Sequence, residues 1–395
     1  MFIKITRNII DAAIAGDKRA LDLLRDMDFS CHHGKHLFMG DHETLVLIQK
    51  HFSSNFPTLA KLFTQISTLG AIANVMNWHV EFGLEEGESV VKEDNGKYTI
   101  VISKNDFSLF KTFNECHILV ENLEDVQMYQ YILDFYKRNN NLVHTYNNYY
   151  SILGGGSTTA MVLKHEMELR HSLILCIVDS DKIHPRAQIK ETAKKVKEEY
   201  LSSPFKYNTL LYILEDVMEV ENLVPISIYE KYCTPQDGEG TKKELYRHFQ
   251  VIQSIWKQSE EYLDYFDFKV GIQPSHLVDD SCDNTNRKII ESIAPLLNFP
   301  IVPNSEHYKR VMEILSMPEL ALSPQTKEKY ANKCMNSDTY VFGLGKDVLK
   351  KVLDSCAESF RIISNDQLSK TQNKVYAEIG RLMYCWTCAS EPHRL

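Results

Sequence analysis

Leu173-Ile174-Leu175-Cys176-Ile177-Val178-Asp179-Ser180-Asp181-Lys182 is a run of six apolar residues closed by two acids one residue apart. A short continuous apolar run bounded by polar residues reads as a strand buried on both faces, as in a parallel sheet. In open α/β sheets, ligands bind outside the carboxyl ends of the strands. Side chains at i and i+2 of an extended segment share a face, about 6–7 Å apart. Asp179 and Asp181 are therefore expected to address one cation.

The same rhythm continues on either side. His117 to Val120 is a short apolar run that ends in Glu121, and Thr209 to Leu214 is another that runs into Glu215-Asp216 and then Glu219-Val220-Glu221-Asn222-Leu223-Val224-Pro225. Leu142 to Tyr146 is a further short strand candidate. Glu124 to Arg138 places Val126, Tyr129, Leu133 and Tyr136 on one helical face. A helix over Ala160 to Arg170 follows the loop Gly154-Gly155-Gly156, and another begins at Pro185 with Ile189, Ala193, Val196 and Tyr200 on one side. Strands alternating with helices of this length predict an α/β fold, a parallel sheet flanked by helices, over residues 115–275.

Residues 1–114 read as a separate α+β domain. Ile5 to Met27 and Glu43 to Leu69 have helical spacing, and two β-rich arms flank Asp94-Asn95-Gly96, where Asn-Gly suits the positive φ of a type I′ hairpin. Cys31-His32-His33-Gly34-Lys35-His36 offers ligand types that zinc prefers, but no second cysteine pair completes a zinc spacing. A zinc site and a His-rich polar loop both stay open there. Residues 276–395 are expected to be mainly helical. Leu245, Phe249, Ile252, Trp256 and Leu263 mark an amphipathic helix before that boundary, and Val375, Ile379, Leu382 and Trp386 mark one after it.

The chain of 395 residues has room for more than one core, and 44% apolar with 25% charged residues is ordinary for a globular protein. Nine cysteines without a secretory pattern at the start are expected to be reduced thiols in the cytoplasm. No run is long enough to span a membrane, so no membrane partner is expected. A net charge of −9 argues against a surface that attracts nucleic acid everywhere. It leaves room for a nucleic-acid enzyme, because a carboxylate-rich metal site adds negative charge and a partner can supply the basic surface.

Taken in order, the acids are Glu121 with Asp125, Asp179 with Asp181, and Glu219 with Glu221. Hard oxygen ligands suit Mg²⁺ or Mn²⁺, and this many acids can hold one or two ions for phosphodiester chemistry. The order VENLEDVQMY, a glycine loop, IVDSDK and EVENLVP resembles a Toprim domain. Among Toprim proteins it most resembles the nucleases of the overcoming-lysogenization-defect kind and their relatives in bacterial anti-phage defence. The likeness covers about residues 115–226 and extends toward Gly271.

The resemblance implies a metal-dependent nuclease acting on DNA or RNA, tRNA included, as a defence effector. It implies Glu121 as the acid or base of the first motif, Asp179 and Asp181 as metal ligands, and Glu221, with Glu219 second, completing the site. Lys269 in YFDFKVGI resembles the lysine such nucleases place near the scissile phosphate, where an ammonium offsets charge on the leaving group. Asn122 stands where the first motif commonly has Gly, and Met218 where the fourth often has Arg. With no GxxxxGK[ST] in the chain, the resemblance implies a separate ABC-type ATPase partner, and a homodimer is a further expectation.

Other readings stay open at this point. A non-catalytic Toprim-like partner or sensor of a defence ATPase would carry the same motifs. A haloacid-dehalogenase-like phosphatase would use Asp179 as nucleophile and Asp279-Asp280 as its later acids, but it needs neither Glu121 nor the EVEN stretch. Asp125 suits a helix cap as well as a metal, and the acids at 219–221 suit a helix N-terminus. Gly154 to Gly156 is either a flexible loop or a phosphate contact. Lys269 could snorkel from a core strand, and Cys385-Trp386-Thr387-Cys388 reads as buried thiols rather than zinc ligands.

Overall fold

The computed structural model describes residues 1–67, 70, 72, 75–107, 114–169, 172–183, 185, 187–235, 242–258, 260–272 and 341–392. Asp279-Asp280, the stretch 236–240 and residues 276–340 of the C-terminal region lie outside them. The chain forms two compact units, each assembled from separate stretches. The first is Met1–Ile177 with Lys195–Tyr212 and Glu378–Leu395; the second is Val178–Lys194 with Ile213–Ala377.

The first unit carries two sheets. β1 (Phe2–Ile5), β2 (Leu37–Gly40), β3 (Trp78–Phe82), β4 (Val90–Asp94) and β5 (Lys97–Ile102) lie in the order β2-β1-β3-β5-β4. Only β4 with β5 is antiparallel, whereas β1 pairs parallel with β2 and β3, and β3 parallel with β5. The sequence pattern does not mark β1, β2 and β3, whose parallel pairing makes this a mixed sheet. The expected hairpin does form, with Asn95 at φ 51 and Gly96 at φ 75. The helical stretch 5–27 divides at Gly16, whose φ is 88, into Arg7–Ile14 and Lys18–His32. Asp17 starts the second helix by accepting from the Arg19 and Ala20 N–H groups.

The second sheet contains β6 (Cys116–Val120), β8 (Tyr149–Leu153), β9 (Ile174–Asp179) and β10 (Thr209–Leu214), in the order β10-β9-β6-β8; a short β7 (Tyr146–Asn147) precedes β8. β6 pairs parallel with β8 and β9. Ile174 to Val178 are buried throughout, as a central parallel strand requires. Helix Leu123–Asn139 buries Met128, Tyr129, Ile132 and Leu133.

Two sequence-based expectations shift here. The strand expected at Leu142 to Tyr146 is a turn region, because Asn141 takes φ 57 and the Leu142 N–H returns to Lys137 O at the helix end; pairing with β6 falls to Tyr149–Leu153. The helix expected from Pro185 begins instead at Glu191, after a loop that the Lys190 N–H closes onto Ser180 O.

The second unit holds Val178 and Asp179 at the end of β9, the EVEN loop, helices Ile226–Cys233, Lys242–Gln258 and Val348–Ser355, and most of the loops between them. Its small ladder pairs β11 (Gly271–Ile272) antiparallel with β12 (Val341–Phe342). Two glycines permit this approach: a Cβ on Gly271 would lie 1.9 Å from Val341 O, and one on Gly343 would lie 2.6 Å from the Lys269 carbonyl carbon. Among the described residues, no helix is long and apolar enough to cross a membrane.

Candidate metal centre

β9 delivers Asp179 at its last residue, and there the extended chain ends. Ser180 Oγ donates to Val217 O at 2.8 Å and the Asp181 N–H to Met218 O at 2.9 Å, with Asp181 in the left-handed region at φ 51. These bonds bring the segment 217–221 against the end of β9. The Val220 N–H donates to Asp179 Oδ1 at 3.0 Å, which sets Glu219 and Glu221 on either side of that anchor.

One ligand oxygen from each of Asp179, Glu219 and Glu221 lies within 4.8 Å of the others, and among the described residues this is the one such group of acids, thiols or imidazoles. Glu219 and Glu221 are buried, at 5% and 4% exposure. Glu219 Oε1 and Glu221 Oε2 have no hydrogen-bond partner. Leaving a buried charged oxygen unsatisfied costs several kcal/mol, roughly, unless a cation or proton meets it. The three acids could hold a metal ion.

Lys269 already supplies one positive charge. Its Nζ lies 2.7 Å from Glu219 Oε2 and 3.1 Å from Glu221 Oε1. Burial pulls the ammonium pKa down, but the charges of Glu221 and Glu219 overcome this and hold it above the ordinary lysine value. Burial pushes the Glu219 carboxyl up to about 8, and repulsion from Glu221 adds to the rise. Glu221 is raised as well, again by burial first, with Lys269 opposing.

The loop itself is latched. Asn222 Oδ1 accepts from the Glu219 N–H at 2.9 Å, while Asn222 Nδ2 donates to Leu263 O and Phe266 O. Tyr229 Oη donates to Glu221 O at 2.9 Å. Asp267 Oδ1 accepts from the N–H groups of Lys269 and Val270 at 2.8 and 2.7 Å, a turn that aims Lys269. Reading the sequence missed Asp267 and the latching role of Asn222. The Asp-x-Lys spacing is the local signal for the first.

Asp181, Glu121 and Asp125 are not members of this group. Asp181 turns out of the strand, so the shared face assumed for i and i+2 does not apply to it. Burial raises its carboxyl pKa, and Lys269 and Lys190 are the cations that oppose the rise. In the first unit, Glu121 follows β6 directly. Its carbonyl accepts from the Gly155 N–H at 3.0 Å, and a Cβ on Gly156 would stand 3.9 Å from Glu121 Oε2. Gly155 and Gly156 take φ of 72 and 63, so the glycine loop folds onto the end of β6. Asp125 is buried and accepts from the Asn122 N–H at 2.8 Å, the helix-capping arrangement.

No family model, curated protein or solved structure matches this chain. The likeness to Toprim therefore rests on the motif residues themselves. The histidine-rich stretch takes ordinary roles where it is described: His33 Nδ1 lies 2.8 Å from Phe29 O, Cys31 is buried, and the His36 ring packs edge-on to Phe38. Cys385 and Cys388 are buried thiols.

Proposed function

We propose that this chain hydrolyses phosphodiester bonds in DNA or RNA with a divalent cation, Mg²⁺ or Mn²⁺, held by Asp179, Glu219 and Glu221. The observation that carries the reading is the group itself: Asp179, Glu219 and Glu221 each bring one carboxylate oxygen within 4.8 Å of the others, and Glu219 and Glu221 each bury an oxygen that has no hydrogen-bond partner. An all-oxygen donor set of three carboxylates fits a hard divalent ion and not a thiolate-preferring one. A group this tight can hold one ion or share in a pair about 3.5–4 Å apart.

When bound, the ion supplies Lewis-acid stabilisation of charge on the phosphoryl oxygens. The chain's own groups do the rest. Asp179 orients the Glu219–Glu221 loop through the Val220 N–H, and Asp267 fixes the turn that presents Lys269. An ammonium has three donors; two are directed at Glu219 and Glu221, and the third serves the leaving oxygen of the substrate. Asp181 adjusts the field around Lys269. Glu121 enters through its motif likeness alone, as the further acid or base. By the same likeness the enzyme is a cytoplasmic anti-phage effector that works with a separate ABC-type ATPase.

The test is cleavage of plasmid, single strands and tRNA by purified protein in Mn²⁺ and in EDTA, alone and with an ATPase encoded beside it. Mn²⁺-dependent cleavage abolished by Glu221→Gln is expected. Mn²⁺ affinity unaffected by Glu221→Gln, together with no cleavage under any condition, would sink the proposal.

A further inference from the structure

In the first unit, β8 (Tyr149–Leu153) lies at one edge of the sheet β10-β9-β6-β8, where it pairs with β6. The Gly154 N–H donates to Val120 O, and along a strand the residues that bond one neighbour alternate with those that face the other way. Tyr150 and Ile152 therefore turn their amides and carbonyls toward β6, and Tyr149, Ser151 and Leu153 turn theirs outward. Among the described residues, no backbone hydrogen bond reaches these outward groups. Tyr150 and Leu153, on opposite faces of the strand, are 59% and 48% exposed.

An open edge strand is a template for another strand, and proteins guard such edges with charge, proline or a bulge. β4, at the edge of the other sheet, is guarded in this way by Lys92, Glu93 and Asp94. β8 has no such guard: from Thr145 to Leu163 the chain holds no charged residue, although 25% of the whole sequence is charged. Charge also selects the occupant. Two copies of a chain with a net charge of −9 repel one another, so they meet most readily over a surface that carries none. The strand is self-complementary as well. Laid antiparallel on a second copy with Ser151 opposite Ser151, its three outward residues meet the same three of that copy, Tyr149 against Leu153, for about six inter-strand hydrogen bonds. Tyr150 then stands opposite Ile152 of the second copy, a favourable aromatic with β-branched pair, and no like charges are opposed. We infer that β8 is a dimer interface, joining two copies of this chain edge to edge across a two-fold axis at Ser151, so that their four-stranded sheets become one continuous sheet.

The test is sedimentation of the full chain over concentrations from about 1 to 100 μM, where a reversible monomer–dimer equilibrium is expected. Ser151→Pro removes an N–H that no bond within the chain uses, a change an edge strand tolerates, and Tyr150→Lys places a charge on the open edge. Each should weaken dimerisation by about ten-fold or more, because the two-fold axis doubles every loss. The circular dichroism spectrum and Mn²⁺ affinity should stay at their wild-type values. Hydrogen exchange at the Ser151 and Leu153 amides should slow as the dimer forms. A chain that stays monomeric over this range, or a dimer that both variants leave at wild-type strength, overturns the inference. So does a dimer whose Ser151 and Leu153 amides exchange as fast as in the monomer.

Discussion

The Val220 N–H donates to Asp179 Oδ1 across 3.0 Å, so the residue between the two glutamates is held by the aspartate they converge with. Asp179 thus has a structural and an ionic role, and two substitutions separate them. Asp179→Asn keeps an oxygen for Val220 while removing a charge from a crowded group; it should melt at or above the wild-type temperature. Asp179→Ala also loses the hydrogen bond and should be about 1–2 kcal/mol less stable. Both should lower Mn²⁺ affinity by more than about ten-fold. Urea unfolding and Mn²⁺ titration check the pair.

The acidic group also predicts a pH dependence. The folded-state pKa of Glu219, about 8, lies above its unfolded value of 4.5, chiefly through burial. Between those values the folded protein binds more protons than the unfolded chain. This group's stabilisation of the metal-free protein is therefore complete below about 4.5 and is lost as pH rises through 8. Other acids titrate in the same range, so the measurement is the difference in melting temperature between wild type and Glu219→Gln. The variant should gain on wild type as pH is raised from 5 to about 9. Mn²⁺ affinity should rise over the same interval, because the ion requires the deprotonated carboxylates.

Much of this centre was legible because its signals are local. The buried strand Ile174–Asp179 declares itself by the six apolar residues 173–178, and the acids at 179 and 219–221 stand at a strand end or in the loop that adjoins one. What was hidden is set by distant partners. The turn at Asp181 depends on bonds from Ser180 and Asp181 to Val217 and Met218, which no i, i+2 rule anticipates. The strand Phe2–Ile5 pairs with Leu37–Gly40 and Trp78–Phe82, and at four residues it merges with the helical spacing that follows it. Asp125 was ambiguous on chemical grounds, since the same carboxylate suits a cap or an ion.

Lys269 pairs with two carboxylates that are 6% and 5% exposed. Lys269→Ala strands them without a cation. The expected loss is about 3 kcal/mol near pH 9, where Glu219 is deprotonated, the lower end for breaking a buried pair because Lys269 is itself one-third exposed, and it is smaller at neutral pH, where Glu219 takes up a proton. Saturating Mn²⁺ should restore most of it, since an ion on the same carboxylates replaces the missing charge. Unfolding with and without Mn²⁺ measures both numbers; a loss that Mn²⁺ leaves untouched would mean that no ion reaches Glu219 and Glu221.

Asp125 is expected to matter for folding and not for the ion. Its carboxylate accepts from the Asn122 N–H at the start of helix Leu123–Asn139. Asp125→Ala should cost about 1 kcal/mol and leave Mn²⁺ affinity at the wild-type value. A drop in Mn²⁺ affinity matching that of Asp179→Asn would place Asp125 in the metal shell instead.

Asp181 combines a left-handed backbone, φ 51, with a carboxylate whose charge acts on Lys269. Asn tolerates that backbone almost as well as Gly, whereas a residue with an inert Cβ loses about 1 kcal/mol there. Asp181→Asn should therefore fold with wild-type stability and isolate the loss of charge, while Asp181→Ala adds the backbone cost. If Asp181 serves catalysis through Lys269, Asp181→Asn lowers the rate of phosphodiester cleavage without lowering Mn²⁺ affinity. A fall in Mn²⁺ affinity equal to that of Asp179→Asn would make it a metal ligand, as the strand-end motif implies. Comparing cleavage rate, Mn²⁺ affinity and melting temperature across the two variants decides among backbone, ligand and field.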